Sequence, residues 1–314
     1  MRVAVTGGAG YIGSTLIRNL LTEGHSVASL DNQVKGNYSY LRNLNVKSLM
    51  LIEGDIRNAG DLDFTLKGAD AVVHTAALSD LDVCNDNPEE AVSVNVYGTH
   101  KVLEAAKRNG VQRIIFCSSA AIYGVPSNLP VTERHALHPL NLYGVTKLAG
   151  EKLIDAYHMN CGLEVVNLRF GNVYGVGLYT SWGGVIPKFV ALGLEGKSLT
   201  VYGDGEATRD FVHVEDISRA ITLGLTKVGI RGETFNIGSE TTTVNKIASL
   251  VSSEIEKATR RRQEITHLPP RSGETKEFSY DISKIEKTLG FKPKWRLRDG
   301  VRQIIEFRLK NKNR

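Results

Sequence analysis

Tyr143 and Lys147 lie four residues apart in the stretch Leu142 to Asn160, whose pattern predicts a helix, so both side chains project from one face. A free tyrosine has a pKa of ~10, too high for a base at neutral pH. A lysine cation beside the phenol favours the phenolate and lowers that value. Ser119 follows the strand-like run Arg113 to Cys117, which places its hydroxyl at the carboxyl edge of a sheet, where ligands of open α/β folds bind. From there it can hold a substrate oxygen while Tyr143 moves the proton. Alone, Tyr-x-x-x-Lys is a common accident of amphipathic helices. Its weight comes from what precedes it.

The strand-like run Arg2 to Thr6 leads into Gly7-Gly8-Ala9-Gly10-Tyr11-Ile12-Gly13 and then a helical stretch to Thr22. Gly8, Gly10 and Gly13 fit G-x-G-x-x-G, and Gly7, Gly10 and Gly13 fit a close variant. The turn is tight, and its backbone must approach a pyrophosphate resting on the helix N-terminus. A glycine-rich turn by itself is weak. Here it sits between strand and helix, and Asp31 ends the second strand at the distance expected of a ribose 2′-hydroxyl acceptor. A carboxylate there repels a 2′-phosphate, so NAD is expected over NADP. Asp55 and Ile56 follow the third strand and could line the adenine, with ordinary core as the plain alternative for Ile56.

The elements that must position these groups alternate along the first half of the chain. Strand candidates at Val27 to Leu30, Leu49 to Ile52, Ala71 to Val73 and Glu164 to Leu168 are separated by helical patterns at Asp61 to Leu66 and Pro88 to Asn109. This predicts an α/β fold, a Rossmann-type doubly wound parallel sheet. After Arg169 the pattern loosens around Gly175, Gly177, Gly183 and Gly184, with short strands at Leu199 to Tyr202, Thr234 to Ile237 and Glu264 to His267. The expected division is a dinucleotide domain over 1–169, joined by about 210–238, and a smaller, partly discontinuous α/β substrate domain over 170–209 and 239–314.

Composition narrows the class. The 314 residues, 41% hydrophobic and 23% charged, suit an ordinary globular chain of about two domains. No apolar run approaches a membrane span, and the N-terminus reads as a strand, not a signal peptide. Three scattered cysteines, Cys84, Cys117 and Cys161, suggest neither a disulfide framework nor a metal cluster, and fit a reducing cytoplasm. The net charge of +5 raises the possibility of nucleic acid. The basic runs Arg260 to Arg262 and Lys310 to Arg314 read better as a solvated helix face and a terminus, because no nucleic-acid motif accompanies them. His74 and His213 read as packing or hydrogen-bonding residues, with no metal-ligand spacing around them.

With these residues in place, the sequence resembles the extended short-chain dehydrogenase/reductase family, and within it the NAD-dependent sugar-nucleotide epimerases and dehydratases. The likeness rests on TGGAGYIG, LDN at 30–32, GDIRN at 54–58, HTAA at 74–77, SSAAIYG at 118–124 and YGVTK at 143–147. It continues through RFGNVYG at 169–175, VYGDGEATRDFVHVEDI at 201–217 and PPRSGE at 269–274, and covers nearly the whole chain. The resemblance implies Ser119, Tyr143 and Lys147 as the catalytic triad. It implies a tightly held NAD contacted at Gly7, Gly10, Tyr11, Ile12, Gly13, Asp31 and Asn32. Further cofactor contacts are implied at Asp55, Ile56, Ala76, Ala77, Asn95, Tyr143 and Lys147.

By the same likeness a nucleotide-sugar substrate meets Ser119, Tyr143, Asn172, Tyr202, Arg209, Arg271 and Phe278. Arginine forks suit a diphosphate. A homodimer joined through the helices around 88–109 and 142–160 is also implied. One family feature is missing: the stretch after HTAA offers Asp80, Asp82, Cys84 and Asp86 and no basic residue for the cofactor.

Relatives share a first step, in which the tyrosine takes the proton of the sugar 4-hydroxyl as C4 is oxidised. Dehydratases of the family carry an Asp-Glu pair directly after the catalytic hydroxyl residue, and UDP-glucuronate decarboxylases a Glu at the second of those positions. This chain has Ala120-Ala121, whose methyl groups can be neither acid nor base. The expected activity is therefore 4-epimerisation of UDP-glucose and UDP-galactose. The alternatives are another nucleotide-sugar epimerase, dehydratase or reductase, such as one for UDP-N-acetylglucosamine, and a non-catalytic NAD-binding regulator. The intact Ser119, Tyr143 and Lys147 weigh against the regulator. The bulk of Phe278, beside the expected hexose 2-substituent, favours plain hexoses over N-acetylated ones.

Overall fold

Short runs rich in Val and Ile, at Arg2–Thr6, Ala71–His74, Arg113–Ser119 and Glu164–Phe170, become the central strands, buried on both faces. In the computed structural model, which describes residues 1–177, 184–270 and 276–311, the strands in chain order are β1 (Arg2–Thr6), β2 (Ser26–Asp31), β3 (Leu49–Glu53), β4 (Ala71–His74), β5 (Arg113–Ser119) and β6 (Glu164–Phe170). They continue with β7 (Asn172–Tyr174), β8 (Leu199–Tyr202), β9 (Thr208–His213), β10 (Glu233–Ile237), β11 (Glu240–Thr243) and β12 (Ile265–Leu268).

Seven strands form one parallel sheet in the order β10-β6-β5-β4-β1-β2-β3. The chain begins in the middle and winds outward both ways, so the strand order switches between β1 and β4. A crevice opens there at the carboxyl ends. Period-2 alternation splits the core into two layers. Val3 and Val5 face the helices Tyr11–Thr22 and Val214–Thr226, with Leu16, Ile17, Ile217 and Ile221. Ala4 and Val72 face Ala59–Leu66, Gly98–Arg108 and Leu142–Cys161, with Leu62, Leu103 and Ile154.

A second core is built from Phe189, Val201, Val251, Ile255, Val301 and Ile304. It lies among the helices Val185–Leu194, Val244–Thr259 and Leu297–Lys310, with β8 paired to β12 and β9 between β7 and β11. β10 returns to the large sheet beside β6. Helix Ser283–Leu289, although late in the chain, contributes Ile285 and Leu289 to the larger core.

The helix expected over Pro88 to Asn109 is interrupted. It runs as Pro88–Val92, a π-turn at Ser93–Tyr97 and Gly98–Arg108. The widened turn seats Asn95, almost fully buried, where its side chain bonds two other elements. Insertions of this kind gather at functional sites.

Candidate active site

Asn141 caps the helix Leu142–Cys161, its Oδ1 accepting from Gly144 N at 2.8 Å. Gly144 lets that helix press against the turn after β5: a Cβ there would fall 2.5 Å from the Ala121 carbonyl oxygen. This close approach carries Tyr143 to Ser119, whose hydroxyl lies near enough to the phenol to bear on its pKa. Ser119 Oγ also accepts from Ala121 N at 3.2 Å, which fixes its orientation at the sheet edge. Ser119, Tyr143 and Lys147 are thus brought together as the spacing predicts.

Burial governs the electrostatics of the protein's own groups. Lys147 is buried, and its Nζ donates to the Cys117 carbonyl at 2.7 Å, 5.9 Å from the centre of the Tyr143 ring. Burial pulls the Lys147 ammonium down to about 8. Burial also pushes the Tyr143 phenol up to about 12, against the nearby Ser119 hydroxyl, which holds it down. The lysine therefore does not lower the tyrosine in the protein by itself, because desolvation of the phenolate outweighs what the site's own groups return. The Cys117 acceptor is a main-chain atom, so no sequence signal marks it. One turn further, Glu151 takes a two-pronged ion pair from Arg169, at 2.9 and 2.7 Å, which braces the buried side of the same helix.

The glycine turn forms a cradle a side chain would fill. A Cβ on Gly13 would lie 2.2 Å from the Gly7 carbonyl oxygen, and one on Gly7, at φ 78°, would lie 2.6 Å from Ala76 N. Gly10 gives the helix no side-chain cap, so the N–H groups of Tyr11, Ile12 and Gly13 lack intrahelical acceptors and remain for a phosphate. Asp31 Oδ2 accepts from Ala9 N at 3.0 Å and Oδ1 from Gln33 N at 2.7 Å. The carboxylate that would meet the ribose thus also holds the turn, and burial raises its pKa. These features fit NAD.

The remaining cofactor candidates divide. Asn32 is exposed, Ala76 lies against the glycine turn and Ala77 beside it in the chain is half-buried. Asp55 is bound by Arg57 at 2.6 and 2.9 Å, which holds its carboxyl below the usual range. Ile56 is core, pressed on Gly98. Asn95 departs from its expected role. Its carboxamide joins Leu78 N at 2.7 Å, Leu78 O at 2.9 Å and Thr146 Oγ1 at 3.0 Å. Its polar atoms tie the 75–80 loop to the helix of Tyr143, which makes it a positioning residue.

On the substrate side, Asn172 in β7 is exposed, with Nδ2 donating to Asp210 O at 3.2 Å. Arg209 in β9 donates to Thr208 O at 2.8 Å. Tyr202 ends β8, with Lys188 Nζ 5.9 Å from its ring centre. Arg271 lies outside the described residues. Phe278 is only 6% exposed and packs with Tyr123 and Tyr280, ring centres 6.3 and 5.0 Å away. Its ring joins an aromatic cluster under the Ser119 turn, so its bulk does not by itself measure the sugar pocket. Among the described residues, no group of His, Cys, Asp and Glu gathers as a metal site, and no helix is long and apolar enough to cross a membrane.

A glycine cradle at a topological switch point, together with a strand-end serine beside a tyrosine and a buried lysine, defines a Rossmann-type enzyme of dinucleotide-dependent alcohol–carbonyl chemistry. The chain belongs to the NAD dependent epimerase/dehydratase family, whose model matches residues 3–238. NAD is accordingly its cofactor. The chain is similar to UDP-N-acetylglucosamine 4-epimerase from Methanobrevibacter ruminantium (30% identical, TM-score 0.91, 99% of this chain and 98% of that one). It is equally similar to the NAD-bound dTDP-glucose 4,6-dehydratase of Streptomyces venezuelae (32%, TM-score 0.91, 99% and 98%). The UDP-glucose 4-epimerase of Thermotoga maritima, solved with UDP-glucose, is 32% identical with TM-score 0.90 over the full length of both chains.

Proposed function

We propose that the protein is a nucleotide-sugar 4-epimerase that interconverts UDP-glucose and UDP-galactose through a transient 4-keto sugar. The observation that carries this reading is the approach of Tyr143 to Ser119 at a turn whose next two residues are Ala120 and Ala121. The site holds the groups for moving the 4-hydroxyl proton and, at these two positions, no acid or base for eliminating water. Bound NAD would supply the acceptor for the C4 hydrogen and return it. Ser119 orients the sugar oxygen, Tyr143 takes and gives back its proton, and buried Lys147 favours the phenolate once the site is loaded. Asn172, Tyr202, Arg209 and Arg271 anchor the diphosphate side of the substrate, so the sugar can present its other face.

In this reading NAD is held by 1–169 with 210–238, and the sugar nucleotide by 170–209 and 239–314. The protein works in the cytoplasm as a homodimer joined through the helices around 88–109 and 142–160, where Val92 and Tyr97 are half exposed. A second reading, an epimerase of N-acetylated hexosamines, is favoured by the inward packing of Phe278. The test is purified protein with UDP-glucose, UDP-galactose, their N-acetylated counterparts, UDP-glucuronate and dTDP-glucose, without added reductant, and product identification by NMR. Appearance of the C4 epimer of UDP-glucose supports the proposal. A 4-keto-6-deoxy product overturns it, and faster turnover of the N-acetylated pair transfers the assignment to the second reading. Phe278→Ser measured beside the parent shows whether that ring limits the sugar.

A further inference from the structure

Tyr11 opens the helix whose N-terminus forms the phosphate cradle, yet its side chain leaves that cradle. Its hydroxyl donates to the Gly175 carbonyl at 2.8 Å, 164 residues away in sequence. Its ring presses on the chain just beyond: a Cβ on Gly177 would fall 2.0 Å from Cδ2 and 2.3 Å from Cε2. Such contact is possible only with a glycine opposite the ring. The segment 175–177 is gripped from the other side as well. A Cβ on Gly175, at φ 119°, would meet His213 Nε2 at 2.4 Å, and Val176 N donates to Gln303 Oε1 at 3.3 Å. His213 in turn reaches Gln303 at 3.1 Å. Burial keeps the Tyr11 phenol protonated, as a donor must be.

We infer that Tyr11 is a positioning residue that couples the two halves of the site, setting the 172–177 segment, and with it Asn172, from the cofactor turn. Its backbone faces the dinucleotide phosphates while its side chain fixes the strand end that carries a nucleotide-sugar contact. The coupling rests on the reading of 172–177 as substrate-binding. Anything that seats the turn more firmly should then strengthen nucleotide-sugar binding, and the reverse follows by linkage. The hydroxyl is needed for this, and an aromatic ring alone is not enough.

The test compares the parent, Tyr11→Phe and Gly177→Ala as purified holoenzymes. Three quantities are measured: NAD content, KM and kcat with UDP-glucose, and amide hydrogen exchange of residues 172–177. Loss of the hydroxyl should raise KM about fivefold, the factor for ~1 kcal/mol, and the loss should fall on KM rather than kcat. Exchange at 172–177 should accelerate in both variants while NAD stays with the protein. A parent that turns over no nucleotide sugar but shows Tyr11-dependent protection of 172–177 refutes the functional reading and keeps the strut. Unchanged exchange in Tyr11→Phe overturns the strut whatever the substrate, as does a loss confined to NAD content.

Discussion

Lys147 turns its ammonium to the Cys117 carbonyl, 2.7 Å away, while standing 5.9 Å from the centre of the Tyr143 ring. Burial moves the two groups in opposite directions, Lys147 down to about 8 and Tyr143 up to about 12. The free enzyme therefore keeps the tyrosine proton and begins to lose the lysine charge just above neutrality. Because kcat/KM reports the free enzyme, it should rise about tenfold per pH unit up to the Lys147 pKa, as the phenolate fraction grows, and level off above it, where loss of the lysine charge offsets that gain. Steady-state kinetics from about pH 6 to 10 check this, and a profile that is flat below about 8 would contradict it. Stability moves the other way in that window. Between about 8 and 10.5 the unfolded lysine keeps a proton the folded one has released, so the fold gains with rising pH.

Tyr143→Phe removes the atom that moves the proton and little else. Turnover should drop by about 10²–10⁴-fold, with NAD content and UDP affinity retained. Ser119→Ala loses one hydrogen bond to the reacting oxygen and should cost about 10²-fold in kcat. Near-parental turnover by Tyr143→Phe would show that another group moves the proton.

Asp31 supports the glycine turn through Ala9 N and the loop after β2 through Gln33 N. Under the proposed reading Asp31→Ala should narrow the preference for NAD over NADP, while the absolute affinity for NAD also falls because each of these segments loses an acceptor. Calorimetry with both dinucleotides checks it. A parent that binds the two equally well would refute the role.

His74 lies buried between Thr6 Oγ1 at 2.7 Å and Thr99 Oγ1 at 3.0 Å, and Thr99 donates onward to the Asn95 carbonyl at 2.6 Å. Because Thr99 donates onward, Nε2 is the donor to it, and in the neutral ring Nδ1 accepts from Thr6. Burial first, and then the Lys147 charge, hold its pKa down at about 3. The unfolded histidine takes up a proton near 6.5 that the folded one refuses, so stability present above 6.5 is lost as pH falls towards 3. The slope is roughly 1.4 kcal/mol per pH unit. His74→Gln, which can keep both hydrogen bonds, should reduce proton uptake on acid unfolding by about one. Equal uptake in both proteins would rule this out.

Much of the catalytic end was legible because its signals are local. A strand, a glycine turn and a helix lie within the first 22 residues, and Tyr143 and Lys147 share a face through helix periodicity alone. Ala120 and Ala121 carry their meaning as residue types, whatever surrounds them. The alternation of strands and helices likewise predicts the parallel sheet, since each strand must be covered on both faces. The sequence also marks Asp31 by its distance from the glycine turn, a spacing set by one βαβ unit.

Tertiary structure decided what depends on partners far along the chain. The direction of the Tyr143 and Lys147 shifts follows from burial, which no spacing encodes. Asn95 is drawn into a π-turn by Leu78 and Thr146, and so its side chain is spent on bracing. Phe278 looks like a pocket residue in sequence, but Tyr123 and Tyr280 draw it into an aromatic cluster. Tyr11 meets Gly175 only because the chain folds back across 164 residues. Local periodicity sets which groups share a helix or strand edge. Desolvation and long-range packing set what those groups can do, because both depend on neighbours that only the complete fold supplies.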